Sequence, residues 1–131
     1  METIFGPVIS SYTRAQAIDD GVLVDVSEMA QEAGIKWPVA VTARLWGLIE
    51  PSEVEQSFGQ SIDGRLWDVL CMLRFAIRSS NSREIFYDVI FADEMRTNKN
   101  RLKQVTRTLK AVSGPGDARE PVITIMLPEE D

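Results

Sequence analysis

Three aspartates, Asp19, Asp20 and Asp25, form the densest acidic cluster of the chain and are the first candidates for chemistry. Asp19 and Asp20 fall in the last turn of a predicted helix, where the negative end of the helix dipole disfavours a carboxylate by about 0.3 kcal/mol or more. This placement favours a binding site for a divalent metal or a cationic partner. The alternative is an exposed turn, in which aspartate tolerates non-helical backbone, and we assign no metal to the cluster.

A basic stretch between residues 96 and 110 supplies the second candidate, and it holds six of the fourteen basic residues. Arg101, Lys103 and Arg107 share parity on a predicted strand, so their side chains could line one face and contact phosphates. The alternative is a solvated strand face whose cations discourage edge-to-edge pairing. The interleaved aromatic residues that single-stranded nucleic acid requires are missing.

Catalytic chemistry is restricted by the absence of histidine and by the presence of one cysteine, Cys71. Together these exclude Ser-His and Cys-His nucleophile pairs, imidazole bases and every zinc site that needs histidine. Paired carboxylates remain conceivable, but no spacing selects a pair among Asp68, Glu84, Asp88 and Glu120. We therefore predict no catalytic residue and no cofactor, and an enzyme is the less favoured interpretation.

Two other segments could bind a ligand, and each also has a purely structural interpretation. Tyr12 and Arg14 flank a helix start, where the arginine could bind an anion or where both could anchor the helix entry. Residues 113–117 are read as a plain β-turn rather than a ligand loop, because no helix or lysine follows them.

Large apolar side chains offer a different kind of site. Trp67, Cys71 and Phe75 form a stripe that either binds a partner or is covered by helices from the first half of the chain. Trp37 and Trp46 are interpreted as core edges rather than as parts of a ligand cage.

Composition predicts a single domain over residues 1–131, because 44% apolar and 26% charged residues allow a sizeable core. The net charge of −6 is uneven, since residues 1–60 hold nine acids and three bases whereas residues 96–119 hold seven bases and one acid. No signal peptide and no membrane span are recognised, which with the single cysteine predicts a cytoplasmic protein.

The predicted elements of the first half are short. Helices are expected at 14–20, 28–33 and 43–49, capped by Thr13, Ser27 and Thr42. A buried strand is expected at 22–26. Residues 35–41 are predicted to be an edge strand or an extended lead-in because Pro38 cannot donate to a ladder. Residues 51–61 are read as the longest loop, and residues 1–7 carry no pattern.

The second half begins with the longest predicted helix, 63–78, which has a buried stripe of Leu66, Val69, Leu70, Leu73 and Ile77. Strands are expected at 84–92, 102–112 and 122–127, and the first has large apolar residues on both faces, which predicts a cover on both sides. The fold class is α+β: short helices and one long apolar helix packed on a mixed sheet that ends in a three-stranded antiparallel meander.

The chain resembles a family of small uncharacterised bacterial, plasmid and phage proteins, a domain of unknown function. The resemblance extends over nearly the whole chain and is carried by the strings ISSYTRAQAI (9–18), DGVLVDVS (20–27), PVAVT (38–42), GRLWDVL (64–70), LKAVSGPGD (109–117) and EPVITIMLP (120–128). It implies a setting on mobile elements, where small acidic proteins often inhibit host defence such as CRISPR or restriction systems.

Taken together, the sequence predicts a non-enzymatic interaction protein with a protein partner. A small enzyme acting on a nucleotide through carboxylates or arginine, and a nucleic-acid-binding accessory protein using the basic strand, are the alternatives. No membrane partner is expected, and the oligomeric state is left open.

Overall fold

A five-stranded mixed sheet organises the part of the chain that the computed structural model describes, residues 12–98 and 100–131. The elements follow one another as α1 Arg14–Asp19, β1 Leu23–Asp25, α2 Ser27–Glu32, β2 Val39–Thr42, α3 Ala43–Ile49, α4 Glu53–Ser57, α5 Ile62–Arg78, β3 Glu84–Glu94, β4 Leu102–Pro115 and β5 Pro121–Met126. The architecture is therefore α+β, as predicted, whereas residues 1–7 and Lys99 lie outside the described residues.

The strand order is β1-β2-β5-β4-β3, with β2 and β5 parallel and the other neighbours antiparallel. The prediction of an edge position for 35–41 is wrong, because β2 lies between β1 and β5 and is buried. Pro38 precedes the strand, so its missing N–H costs no ladder bond, and its carbonyl accepts from the Ile123 N–H. Conversely β1, predicted as buried, is a half-buried edge strand.

Side-chain caps explain where several helices begin. Thr13, Thr42 and Ser61 accept a backbone N–H at the starts of α1, α3 and α5. The predicted cap at Ser27 is wrong, since its hydroxyl donates to Asp25 Oδ1 at 2.6 Å and the helix has no side-chain cap. The predicted loop 51–61 contains α4, which begins with a reciprocal capping box between Ser52 and its third helical residue.

Helix α5 lies on one face of the sheet and supplies much of the core. Leu66, Val69, Leu70 and Leu73 are buried there together with the inward side chains of the central strands. The alternative in which other helices cover the second stripe is wrong for its aromatic members, because Trp67 is exposed and Phe75 is 63% exposed.

Strand β3 likewise has one covered face and one open face. Tyr87, Val89 and Phe91 are buried, whereas Phe86 and Ile90 are exposed, so the predicted cover on both sides is wrong.

The turn after β4 also differs from the prediction. Strand β4 continues through Pro115, so the chain reverses at 116–120 rather than at 113–117.

The contrast between the two α5 stripes predicts different stability effects. Leu73→Ala removes a fully buried side chain and should lower the free energy of unfolding by about 2–5 kcal/mol. Phe75→Ala should change it by only about 0.5 kcal/mol, since little area is lost from the core. Urea unfolding of both variants checks this, and a loss above about 2 kcal/mol in Phe75→Ala would contradict an exposed stripe.

Candidate functional site

A buried arginine, Arg65, joins three helices to strand β3. Its side chain is only 5% exposed, and its guanidinium donates to Leu48 O at 2.8 Å and to Ala92 O at 2.6 Å. Its Nε donates to Gln60 Oε1 at 3.2 Å. Because a buried guanidinium needs acceptors for all its N–H groups, α5 and its neighbours are held in one arrangement.

Glu55, on α4, is the closest carboxylate to Arg65, with 3.1 Å between Oε1 and Nη2. It also accepts the Ser52 N–H at 2.9 Å and the Glu94 N–H at 2.8 Å. Burial alone raises the pKa of Glu55, but these two N–H groups and the charge of Arg65 outweigh burial and lower that pKa. The carboxylate is therefore held in its ionised form and serves as an acceptor.

Asp93 and Arg107 complete the group, which we call the Arg65 cluster: Arg65, Glu55, Asp93 and Arg107. Arg107 Nη2 lies 2.5 Å from Asp93 Oδ2, and Arg65 Nη2 lies 3.5 Å from Asp93 Oδ1. Both guanidinium carbons lie over the Phe91 ring, 5.5 and 5.7 Å from its centroid. Two cations and two anions balance here, so the cluster stabilises the fold rather than offering a free acid or base.

The predicted basic face is only partly formed. Arg107 points to the side of the sheet that α5 covers and is bound to Asp93, and Arg101 precedes β4. Lys103 is exposed and lies opposite Asp93. Lys110 is buried on the other face, where its ammonium donates to Glu130 O. These positions do not bring the three predicted cations together on one solvated surface.

The predicted acidic cluster is likewise engaged in local contacts. Asp20 accepts the Tyr12 hydroxyl at 2.6 Å, which is the main cause of a raised Tyr12 pKa. Asp25 accepts from Ser27, and Asp19 is exposed at the end of α1. Among the described residues, no three acids or cysteines come close enough to hold a metal ion.

Arg14 acts as an anchor between α1 and the sheet. It donates to Thr124 Oγ1 at 2.7 Å and to Ile123 O at 2.8 Å, and burial lowers its pKa. The N-terminus of α1 is occupied by Asp117, which accepts the N–H groups of Arg14 and Ala15. An anion from outside would have to displace this carboxylate.

Along part of its outer edge, β3 has backbone N–H and C=O groups that form no hydrogen bond with any described residue. Arg83 O accepts the Ser113 N–H, so odd-numbered residues bond to β4 and even-numbered residues direct N–H and C=O to the edge. At the C-terminal end Arg65 occupies Ala92 O and Glu55 occupies Glu94 N. Among the described contacts, the backbone groups of Phe86, Asp88 and Ile90 have no such partner, and we call them the open edge.

Apolar side chains accompany the open edge. Phe86 and Ile90, which are 54% and 56% exposed, lie on the outer face on either side of Asp88. On the inner side, exposed Met72 lies seven residues after Arg65 and therefore on the same flank of α5, the flank from which Arg65 reaches Ala92 of β3. An extended segment placed beside β3 would meet backbone donors and acceptors with apolar contacts on both faces.

Within the described residues, these features define an α+β protein with an internally neutralised charged cluster and an open stretch of sheet edge along β3. The chain belongs to the family of unknown function DUF6573, whose model matches residues 1–131. No curated protein and no solved structure matches it. Within the described residues, no helix has the length and apolar character needed to cross a membrane.

Sequence reasoning missed the roles of Arg65 and Glu55. Two signals were available: Arg65 immediately precedes a residue of the buried stripe of its helix, and Ser52 and Glu55 have the spacing of a capping box. No sequence signal indicated the open edge, because the residues of β3 do not show whether the strand lies at the edge or in the centre of the sheet.

The Arg65 cluster predicts an acid-dependent stability. A lowered Glu55 pKa means that its contribution is fully present above its ordinary value of 4.5 and is lost as the pH falls through the lowered value. Glu55→Gln should therefore lower the free energy of unfolding by about 3 kcal/mol at pH 7 and flatten its decline below about pH 4.5.

Denaturant unfolding from pH 7 to pH 3 measures this, and Glu53→Gln on the exposed side of α4 is the matched control. For the control, the free energy of unfolding should depend on pH as it does in the wild type. Equal profiles for Glu55→Gln and Glu53→Gln would show that the buried carboxylate does not stabilise the fold.

Proposed function

We propose that this protein is a non-enzymatic protein-binding module that captures an extended segment of a partner on the open edge of β3. The open edge is the observation that carries the proposal. Soluble proteins usually cover or block long edge strands, because unpaired N–H and C=O groups template pairing with another chain. Here, among the described contacts, Arg65 and Glu55 block only the C-terminal end of the strand.

The side chains along the edge support a binding role. An added strand would place alternate residues against Phe86 and Ile90 on one face and against Met72 on the other. Main-chain hydrogen bonds would supply affinity, and these apolar contacts would supply specificity. Asp88, between Phe86 and Ile90, disfavours pairing with a second copy, because a pairing that aligns the apolar residues puts two Asp88 side chains opposite each other.

The two alternative functions receive less support. The buried carboxylate of Glu55 and the partly buried one of Asp93 are paired with arginines, and the sequence has no histidine, so no general base is free in the Arg65 cluster. Nucleic-acid binding by the basic strand is weakened because Arg107 and Lys110 are used in internal contacts. Among the described residues of the stretch, Arg96, Arg101 and Lys103 are left, and three cations make a small electrostatic footprint.

The biological setting is part of the proposal. We infer a mobile-element origin and a partner in a host defence complex, such as a CRISPR or restriction system. The resemblance to small plasmid and phage proteins supports this setting. An inhibitor that occupies a strand-pairing site needs no catalytic group, which agrees with the lack of histidine.

Proline at the open edge tests the proposal. Ile90→Pro removes an N–H that points away from β4, so the ladder is retained while strand addition is blocked. Tagged protein should retain a discrete partner from a lysate of its native host, and Ile90→Pro should retain at least about tenfold less of it.

Phe58→Ser, which changes an exposed aromatic residue at the end of α4, is the matched control and should bind as the wild type does. Thermal unfolding of all three proteins verifies that the fold is kept. Retention of the partner by Ile90→Pro, or failure of the wild type to retain any partner, would overturn the proposal.

A further inference from the structure

A cleft of about 500 Å³ opens at the C-terminal end of α5, on the side of the molecule that faces α2. Its volume falls in the range of small-molecule sites, roughly 300–1,000 Å³. Its floor is apolar and is formed by side chains of α5, β3, β5 and the segment after α2: Ile35, Leu73, Ile77, Ile85 and Ile123. Such a floor would exclude water from one side of a bound molecule.

Cations surround this apolar floor. Lys36, Arg74, Arg78 and Arg83 line the cleft, and no acidic residue of the described chain does. Within the described residues none of these four has an ion-pair partner, whereas Arg44, Arg65 and Arg107 each contact a carboxylate. In a chain with a net charge of −6, four cations that have no ion-pair partner among the described residues make a local positive field at one cleft, and this field attracts an anion.

Arg74 is positioned by the shape of the backbone beside it. Its guanidinium lies against Gly34, and a Cβ at that residue would be only 2.8 Å from Arg74 Nε. Gly34 also has a φ of +95°, which a side chain disfavours. A glycine here therefore ends α2 and at the same time leaves space for the guanidinium at the cleft.

Trp37 and two serines add an aromatic ring and hydroxyl donors to the cleft. The exposed indole of Trp37 gives the cleft a flat apolar wall. The oxygens of Ser80 and Ser82 accept backbone N–H groups, which leaves their hydroxyl hydrogens free to donate. Planar guanidinium forks and hydroxyl donors suit phosphate oxygens, and indole suits stacking with a planar ring.

We propose that this cleft binds a mononucleotide-like phosphate ester. The planar base lies against Trp37 and the apolar floor, and the phosphate is bound by Arg74, Arg78 and Arg83. The inference concerns binding without turnover, since no carboxylate lines the cleft to act as a base. It is independent of the open edge, which uses the outward-facing backbone groups of Phe86, Asp88 and Ile90 and none of these arginines.

Titration with adenosine monophosphate, followed by tryptophan fluorescence and calorimetry, tests the proposal. The wild type should bind saturably at micromolar to millimolar nucleotide. Arg74→Gln with Arg83→Gln should weaken binding by at least about tenfold, because two charge-assisted hydrogen-bonding groups are lost. Trp37→Leu should weaken nucleotide binding and remove most of the fluorescence change, although Trp46 and Trp67 remain.

Arg101→Gln with Lys103→Gln removes the same charge at exposed positions away from the cleft, so this control should bind as the wild type does. Inorganic phosphate and adenosine are the two partial probes, and each should bind at least about tenfold more weakly than the nucleotide. Absence of saturable binding at millimolar nucleotide, equal binding of either partial probe, or an equal loss in the control would overturn the proposal.

Discussion

The burial of one guanidinium, that of Arg65, is the constraint on which the rest of the structure depends. A cation in the interior is stable only when every donor is satisfied and its charge is balanced. Arg65 meets this need with carbonyls from Leu48 and Ala92 and with the carboxylates of Glu55 and Asp93. These partners come from α3, α4 and β3, so one side chain fixes the positions of three elements around α5.

The same constraint divides the outer edge of β3. Because Arg65 and Glu55 take the edge-facing groups of Ala92 and Glu94, the end of the strand is closed to another chain. The part between Glu84 and Ile90 has no comparable cover among the described residues, although exposed apolar side chains accompany it. Our proposal places stability and binding on adjacent lengths of one strand, and the cationic cleft lies at the N-terminal end of β3, where Ile85 is part of its floor.

Periodicity in the sequence predicted the α+β class, because helix and strand spacing are local, and four residues of the predicted buried stripe, Leu66, Val69, Leu70 and Leu73, are buried. It failed for features that tertiary contacts determine. Pro38 led to the prediction of an edge strand or an extended lead-in, yet it precedes the central strand β2 and costs no ladder bond. Arg107 shares the parity of Lys103, but pairing with Asp93 holds it in a half-buried cluster. Neither the open edge nor the four cations of the cleft could be found without strand order and three-dimensional proximity.

Amide hydrogen exchange along β3 tests the central claim of strand capture most directly. In the free protein the N–H groups of Tyr87 and Val89 bond to β4 and should exchange slowly, whereas those of Phe86, Asp88 and Ile90 face the open edge and should exchange fast. In the complex with its partner, the second set should slow by at least about tenfold while the first set is little changed. Unchanged exchange at Phe86, Asp88 and Ile90 in a saturated complex would contradict the account.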